Sequence, residues 1–228
     1  LSRSEQVKND FISSVSHELR TPLTAIRGWG ETLITDGDLE PETAKKGIEI
    51  IMSETQRLSN MVEELLDFSR MQGGRLHLET ERLDVVAELS DAVLMYTQRA
   101  KQENKTLSYE EPEFFAPLLG DKNRLRQVFV NILDNALKYS DSGDSVTVTA
   151  TLAEGILTVT VSDTGIGIAQ DDLPKVKDKF YKGKSTRRGS GIGLAVADEI
   201  ISMHGGSLSL NSIKDSGTTV TIKLPITA

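Results

Sequence analysis

The sequence contains no cysteine among its 228 residues. This absence excludes disulfide bonds, thiolate zinc sites and thiol nucleophiles, and it is typical of proteins from a reducing compartment. Positive charge is also in deficit, because 26 Lys and Arg residues stand against 34 Asp and Glu residues and the formal net charge is −8. Sequence-independent binding of nucleic acids needs a basic surface, so we expect no nucleic-acid partner.

A long apolar run is missing as well. No stretch approaches the roughly 18 apolar residues that a transmembrane helix requires, and no signal peptide is recognisable. The sequence starts at Leu1, inside a helical pattern, so we expect it to be a fragment of a longer protein. With 38% apolar and 26% charged residues, its composition is that of an ordinary globular protein of one large or two small domains.

The first 72 residues predict two amphipathic helices joined by a turn over 35–42. Apolar residues recur every seven positions in two interleaved series, a heptad seam that indicates packing along another helix. The seam is formed by Ile12, Val15, Leu19, Pro22, Ile26, Trp29 and Leu33 in the first helix, and by Ile48, Ile51, Thr55, Leu58, Val62 and Leu65 in the second. A two-helix hairpin cannot enclose a core, so we expect two copies to form a four-helix bundle.

Beyond Gly73-Gly74, which we interpret as a hinge, the pattern becomes that of a two-layer α/β sandwich with helices on one face of a mixed sheet. Predicted strands cover 76–79, 105–109, 145–151, 156–163, 207–212 and 217–225, and predicted helices cover 84–103, about 121–139 and a segment ending at His204. The sequence therefore predicts a helical hairpin over 1–72, a linker over 73–80 and a sandwich domain over 81–228.

His17 lies opposite the heptad seam of the first helix, at a position that faces solvent. An exposed imidazole is mostly neutral at pH 7 and is a competent nucleophile. Thr21 lies one helical turn further on the same face. Pro22 removes the hydrogen bond to the Glu18 carbonyl, so we expect a bent helix there. From this stretch alone, an ordinary surface histidine is the alternative.

Asn131 and Asn135 lie one turn apart on a predicted helix, with Lys138 beside them. Amide oxygens are hard ligands suited to Mg²⁺, and a lysine supplies a counter-charge for phosphate. Two polar residues on a solvated face are the alternative, which the apolar neighbours of these asparagines make less favourable.

Asp163 ends an alternating strand and is followed by Gly165 and Gly167. A carboxylate at a strand end, beside backbone that can approach closely, suits a hydrogen bond from an exocyclic amine such as that of adenine. A plain turn is the alternative. The glycines of GSGIGL, at 189, 191 and 193, do not match the dinucleotide fingerprint, and their amides are placed to cover phosphates at the start of the next helix.

The segment 175–188 holds seven basic residues against one acidic residue, which predicts a mobile lid that attracts a polyphosphate. A solvated run of charge is the alternative. The tetrapeptide GKST within it is similar to the end of a P-loop, but Asp178 occupies the required upstream glycine position and no strand precedes it.

Five motifs together resemble the two-component sensor histidine kinases. SVSHELRTPLTAIRGW (14–29) is similar to the phosphoacceptor box of that family and NILDNALKYS (131–140) to its asparagine box. DTGIGI (163–168) is similar to the first glycine box, GSGIGLAVADEIISMHGG (189–206) to the second and GTTVTIKLP (217–225) to the closing strand. The motifs stand in the family's order, and the resemblance covers nearly the whole chain.

The resemblance implies a cytoplasmic catalytic core that phosphorylates itself on His17 with ATP and passes the phosphoryl group to an aspartate of a response regulator. Glu18 would orient or deprotonate the imidazole, and Thr21 would serve in dephosphorylation of the regulator. The resemblance further implies Mg²⁺ as a cofactor, a homodimer formed through the hairpin, and membrane attachment only through segments outside this chain.

The resemblance also implies the nucleotide-binding residues. Asn135 would hold Mg²⁺ with support from Asn131, and Asp163 would read the adenine amino group. The other contacts, with lysines on phosphates and the tyrosine on adenine, would come from Lys138, Tyr139, Gly165, Gly167, Lys182, Gly189, Gly191, Gly193, Leu194 and Thr218. The chain departs from the family at Lys177, which replaces the first aromatic residue before the lid and leaves only Phe180-Tyr181.

Two alternatives stay open at this point. Chaperone and mismatch-repair ATPases share the nucleotide fold and hydrolyse ATP without a phosphoacceptor, and a non-catalytic dimeric scaffold would carry a degenerate ATP site. Acid-labile label on the protein would exclude the first alternative. A nucleotide titration with and without Mg²⁺ would decide the second.

Overall fold

Two long helices open the computed structural model, which describes residues 3–177 and 191–226. Helix α1 spans Arg3–Thr35 and helix α2 spans Pro41–Gln72, and the chain turns between them as the sequence predicted. The helices pack closely near the turn, because a Cβ atom at Gly47 would lie 2.6 Å from the ring of Trp29. The predicted helical hairpin is confirmed.

The hairpin leaves much of its apolar stripe uncovered within the chain. Helix α1 continues through Pro22, whose side chain is buried. Large apolar side chains along both helices are exposed: Ile12, Leu23, Ile34, Ile48, Met52, Val62 and Leu66. Such a stripe is a surface for packing against a further polypeptide.

Within the described ranges, neither these helices nor any other meets the length and apolarity that crossing a bilayer demands.

An α/β sandwich follows the hairpin. Its strands are β1 Glu81–Asp84, β2 Thr106–Tyr109, β3 Pro117–Gly120, β4 Ser145–Ala153, β5 Ile156–Asp163, β6 Ser207–Ile213 and β7 Gly217–Pro225. Its helices are α3 Val85–Gln102, α4 Lys122–Lys138 and α5 Gly193–Met203, with a 3₁₀ turn over Leu173–Lys175. Asp84 and Asp121 cap α3 and α4, because their carboxylates accept hydrogen bonds from the amides of Val86 and Arg124.

Five strands form one mixed sheet in the order β2-β4-β5-β7-β6. Only β2 and β4 run parallel, and the other neighbours pair antiparallel. Along β5 every second residue is buried, which places Leu157, Val159 and Val161 in the core shared with the helices. Helices α3, α4 and α5 cover this face of the sheet, so the predicted two-layer sandwich is confirmed.

The strand predicted over 76–79 is wrong. Residues 75–80 form no regular element, and the amide of Glu79 donates to the Asp121 carboxylate at 2.9 Å rather than to a strand. Leu76 is buried in the core, which explains the apolar alternation that suggested a strand. His77 therefore lies in an irregular segment. The strands that form nearby are β1 and β3, a separate antiparallel pair that the sequence pattern did not predict.

The end of α2 packs onto the sandwich. Asp67 is 3% exposed, and its carboxylate accepts hydrogen bonds from Arg124 and Gln127 of α4. Phe68 and Met71 belong to the same buried cluster as the sandwich core. The segment 73–80 therefore connects two parts that share buried surface, and the division of the chain at this segment stays a prediction.

Candidate functional site

Helix α4 presents two asparagines on one face. Asn131 and Asn135 are both half-buried, and the Asn131 amide donates to the carbonyl oxygen of Gly193 at 3.2 Å. This bond ties α4 to the first residue of α5. The side-chain amide of Asn135 has no hydrogen-bond partner among the described residues, so its oxygen is available as a ligand.

The last residues of α4 form the next side of the site. The ammonium nitrogen of Lys138 lies 4.8 Å from the centroid of the Tyr139 ring, a cation–π contact. The Tyr139 carbonyl accepts a hydrogen bond from the amide of Ile166 at 3.0 Å, and a Cβ atom at Gly165 would lie 2.2 Å from that carbonyl oxygen. The loop after β5 is thus held against the end of α4, and only glycine fits at position 165.

Asp163 is buried at the end of β5. Its Oδ1 accepts hydrogen bonds from the amides of Gly165 at 2.9 Å and Thr218 at 3.2 Å, and its Oδ2 has no donor among the residues that the structure describes. Burial raises the pKa of the Asp163 carboxyl above its usual range; the two amide bonds offset part of this rise and the charge of Asp144 adds to it. One oxygen is fixed by the protein, and the other is open to a donor from a ligand.

The β6–β7 hairpin closes the site from the other side. Ser212 accepts a hydrogen bond from the Ile168 amide at 2.8 Å and donates to the Gly217 carbonyl at 2.9 Å. A Cβ atom at Gly167, whose φ is +59°, would lie 2.0 Å from the Ile213 carbonyl oxygen. The sequence predicts that the loop glycines admit a ligand, whereas in the structure they admit neighbouring backbone. Ser212 has no sequence signal beyond its place in a strand.

The start of α5 completes the site. Gly191 has a φ of +70°, which favours glycine, and Gly193 is the first residue of the helix. Amides at a helix N-terminus attract anions, so phosphates are a ligand group that fits here. Leu194 is partly buried against the core. The predicted contacts of Lys182 and Gly189, and most of the predicted lid, lie outside the described residues.

Four segments converge at this site: α4, the loop after β5, the start of α5 and the start of β7. The predicted residues are brought together in three pairs, Asn131 with Gly193, Tyr139 with Gly165, and Asp163 with Thr218. In the part of the chain that the structure describes, no three His, Asp or Glu side chains are grouped to hold a metal ion. Mg²⁺ fits the open amide oxygen of Asn135, provided that phosphate oxygens and water supply its other ligands.

His17 is exposed on α1, as the heptad predicted. Its imidazole makes no hydrogen bond within residues 3–177 and 191–226. One turn further on, the Thr21 hydroxyl donates to the His17 carbonyl oxygen at 3.3 Å, a bond within the helix that leaves the imidazole unconstrained. The hairpin therefore presents an exposed imidazole with a hydroxyl one helical turn away.

Glu18 turns away from His17 and toward α2. Its Oε2 accepts from Nη2 of Arg57 at 3.2 Å, and Nη1 of Arg57 lies 3.5 Å from Glu54. The structure thus does not bring Glu18 to the imidazole of His17. Arg57 was not predicted as a site residue, although residues equally far from the turn of a helical hairpin face each other. Counting outward from the turn over 36–40 would have placed Arg57 near Glu18.

The two parts of the site lie apart in this conformation. The hairpin contacts the sandwich through Asp67 of α2. His17 precedes Glu18, which pairs with Arg57 further back along α2. From Arg57 to Asp67, α2 rises by about 15 Å. The contact of the hairpin with the sandwich at Asp67 is therefore separated along α2 from the part of the hairpin that carries His17.

Comparisons with known proteins match both parts. Residues 7–74 match the family model of the His Kinase A (phospho-acceptor) domain, and residues 120–228 match that of the histidine kinase-, DNA gyrase B- and HSP90-like ATPase. The sensor protein SrrB of Staphylococcus aureus is 36% identical over an alignment of 227 residues, and the match covers 97% of this chain. The chain spans only 38% of the length of SrrB.

Solved structures of similar fold extend the comparison. The histidine kinase AdeS of Acinetobacter baumannii gives a TM-score of 0.68 at 26% identity, covering 93% of this chain and 98% of that one. The histidine kinase ThkA, solved in complex with the response regulator protein TrrA, gives a TM-score of 0.70 at 23% identity. That alignment covers 99% of this chain and 64% of the other, and at this identity it concerns the fold alone.

Proposed function

Because this chain belongs to the two-component sensor histidine kinases, we propose that it phosphorylates itself on His17 with ATP and transfers the phosphoryl group to an aspartate of a response regulator. The observation that supports this most directly is the exposed imidazole of His17, which no side chain in the described ranges engages, on a hairpin joined to a candidate nucleotide site. A hydrolase of the same fold has no need of such a nucleophile.

ATP binding in this proposal uses the groups that converge on the sandwich. Oδ2 of Asp163 accepts a hydrogen bond from the adenine amino group, while Oδ1 accepts hydrogen bonds from two backbone amides. Lys138, stacked on Tyr139, and the first amides of α5 bind the phosphates. Asn135 gives its amide oxygen to Mg²⁺, and Asn131 fixes the start of α5 beside it. When bound, Mg²⁺ would neutralise negative charge on the phosphate groups of ATP.

The transfer step forms a bond between Nε2 of His17 and the γ-phosphorus of ATP, breaks the bond from that phosphorus to the bridging oxygen, and releases ADP. The imidazole gives its Nδ1 proton to Glu18, which first leaves its ion pair with Arg57. The side chains of Arg57 and Glu18 are 30% and 14% exposed, so the pair is partly shielded from water and separating it costs free energy. Arg57 thus holds the base away from the histidine in the present conformation.

Two partners belong to the same proposal. The uncovered apolar stripe of the hairpin packs against that of a second copy to give a four-helix bundle. The exposed face around His17 receives the receiver domain of a response regulator, a kind of partner with which the kinase ThkA has been solved. We place the chain in the cytoplasm, as the catalytic core of a longer membrane-anchored sensor, in keeping with its match to 38% of the sensor protein SrrB.

Incubation with γ-labelled ATP, followed by treatment with acid and with base, tests the proposal. We expect label on the protein that is lost in acid and retained in base, because a phosphoramidate bond to imidazole has that stability. Hydrolysis of ATP without label on the protein would indicate an ATPase of the same fold. Absence of nucleotide binding would indicate a non-catalytic scaffold.

Replacing Asn135 by alanine is expected to remove the Mg²⁺-dependent part of ATP binding and to lower the affinity at least about tenfold. The reason is that its amide oxygen is a hard ligand with no hydrogen-bond partner among the described residues, whereas the neighbouring Asp134 carboxylate is paired with Arg99. Calorimetric titration of ATP with and without Mg²⁺ measures the effect. Asn123→Ala, at an exposed position of the same helix, is the matched control and keeps the parent affinity. Equal affinities of Asn135→Ala and the parent would refute the metal role.

Thr21→Ala is expected to keep the rates of autophosphorylation and transfer within about threefold of the parent. The rate at which it stimulates dephosphorylation of the regulator should fall at least about tenfold. The hydroxyl lies one turn from His17, where it can hold a water in line with the phosphorus of a docked phosphoaspartate. Release of phosphate from a phosphorylated regulator measures the activity. The control is Thr24→Ala, which removes a similar hydroxyl bonded to the Arg20 carbonyl at 2.8 Å. Equal loss of both activities in Thr21→Ala would show that the helix around Pro22 is disturbed instead.

A further inference from the structure

Lys177 ties the loop that follows β5 to two other elements of the sandwich. Its ammonium group donates to the carbonyl oxygen of Leu208 in β6 at 2.6 Å and lies 2.8 Å from Oδ1 of Asp198 in α5. The Lys177 and Asp198 side chains are 34% and 32% exposed, so the ion pair is partly shielded from water. The resemblance to histidine kinases predicts an aromatic residue at this position, and the sequence has a lysine there instead.

The same loop is fixed to β6 at a second point. The Ile168 amide donates to Oγ of Ser212, and the Gln170 side chain donates to the Ser212 carbonyl at 3.2 Å. Lys177 is the last described residue of the loop and binds the same strand at Leu208. The described part of the loop is therefore held against β6 at residues 168–170 and again at Lys177, and Lys177 also contacts α5.

The contact with α5 links two walls of the nucleotide site. Asp198 lies on α5 about 7.5 Å along the helix from Gly193, whose carbonyl accepts the Asn131 amide. The loop carries Gly165, which packs on the Tyr139 carbonyl at the adenine side of the proposed site. The ion pair between Lys177 and Asp198 therefore joins the loop that carries Gly165 to the helix that carries Gly193.

We propose that Lys177 is a positioning residue for ATP, which acts through Asp198 and the Leu208 carbonyl and serves as an ionic anchor where an aromatic anchor is expected. The proposal rests on the proposed function, because it presupposes that this site binds ATP. A direct phosphate contact by Lys177 is the competing explanation. Two of the three N–H groups of its ammonium are already directed at protein oxygens, which favours the positioning role.

A double-mutant cycle on the whole chain separates the two explanations. ATP affinity is measured by calorimetry for the parent, Lys177→Met, Asp198→Asn and the double variant. We expect each single variant to weaken ATP binding about 3- to 10-fold, since a partly shielded ion pair and a carbonyl hydrogen bond are lost or weakened. The double variant binds no worse than Lys177→Met, because both substitutions break the same contact. Lys177→Arg retains most of the affinity.

Two further measurements make the role specific. The reversed pair Lys177→Asp with Asp198→Lys recovers part of the lost affinity, which a direct phosphate contact at position 177 would not allow. In autophosphorylation, the KM for ATP rises by the same factor as the dissociation constant, while the rate at saturating ATP stays within about twofold of the parent. Lys101→Met removes an exposed lysine charge from the last turn of α3, outside the proposed site, and serves as the control, with parent affinity expected.

The outcomes that overturn the proposal are distinct. If Lys177→Met weakens binding while Asp198→Asn does not, Lys177 contacts the phosphates directly. If neither variant changes the affinity of a chain that binds ATP, the ion pair has no positioning role. If the parent binds no ATP, the proposed function itself is wrong, and the positioning role is rejected with it.

Discussion

Replacing His17 by glutamine is expected to abolish incorporation of label from γ-labelled ATP while leaving ATP affinity within about twofold of the parent. Glutamine retains polarity but has no ring nitrogen that can attack phosphorus. The position is exposed on α1, so the substitution disturbs no packed core. The proposed nucleotide site lies on the sandwich, and the hairpin contacts the sandwich at Asp67 rather than at His17. Labelling on a gel and a separate ATP titration measure the two quantities.

The other two histidines provide controls of different kinds. His77 is exposed in an irregular segment, so His77→Gln is the matched control and should keep full labelling. His204 is buried, with Nδ1 at 2.7 Å from the Ile200 carbonyl and Nε2 accepting from the Asp121 amide at 2.9 Å. Both of its nitrogens are used within the fold, which makes it unsuited to accept a phosphoryl group. Label that persists in His17→Gln would show that another residue is the acceptor.

Asp163→Asn is expected to lower ATP affinity about 10- to 100-fold and, at neutral pH, to stabilise the nucleotide-free fold. Asparagine keeps an oxygen that can accept from the amides of Gly165 and Thr218, but it removes the buried charge. The affinity falls because the substitution replaces the open, charged carboxylate oxygen, which accepts from the adenine amino group, by a group of a neutral amide. Calorimetry gives the affinity, and thermal or urea unfolding gives the stability.

The pH dependence follows from the sign of the shift. Burial raises the pKa of Asp163 in the folded state above its unfolded value. Its contribution to stability is therefore complete below the unfolded pKa and is lost as the pH rises through the folded pKa, since the charged form is disfavoured by burial. The stability gain of Asp163→Asn over the parent should shrink as the pH is lowered from neutral.

ATP affinity of the parent should change in the opposite direction. Protonation of Asp163 removes the charged acceptor, so affinity falls on acidification, beginning at a higher pH than an ordinary aspartate would give. Asp171→Asn, in an exposed part of the loop after β5, is the control for charge alone and should match the parent in both properties. A variant at 163 with parent affinity and parent stability would contradict both the adenine contact and the cost of burial.

Much of the fold was predictable because two periodicities dominate the sequence. The seven-residue repeat located both helices of the hairpin and placed His17 on the outer face, where the structure has it. The two-residue alternation located β4 to β7, with β5 and β7 at the predicted bounds and β4 and β6 ending one or two residues later than predicted. Leu76 shows the limit of this argument, since a buried residue in an extended segment produces alternation without a strand partner. Strand β3 escaped prediction because it has four residues and begins with Pro117.

The candidate site was predictable only in part, for a different reason. Motifs identified Asn131, Asn135 and Asp163, and the structure gathers their segments into one site. Contacts between distant segments have no local signature, so the ion pairs Glu18–Arg57 and Lys177–Asp198 appear only in three dimensions. The roles of all these residues in catalysis stay predictions until the variants are measured.

The buried carboxylate at the end of α2 bears on how the protein can be dissected. Asp67 neutralises Arg124, and Phe68 and Met71 fill part of the sandwich core, so a fragment starting at residue 81 would leave an unpaired cation beside a hydrophobic hole. We therefore expect a fragment that begins before Asp67, inside the last turns of the hairpin, to be more stable to urea than one that begins at residue 81. The buried contacts of the sandwich thus begin earlier along the chain than the boundary that the sequence predicts.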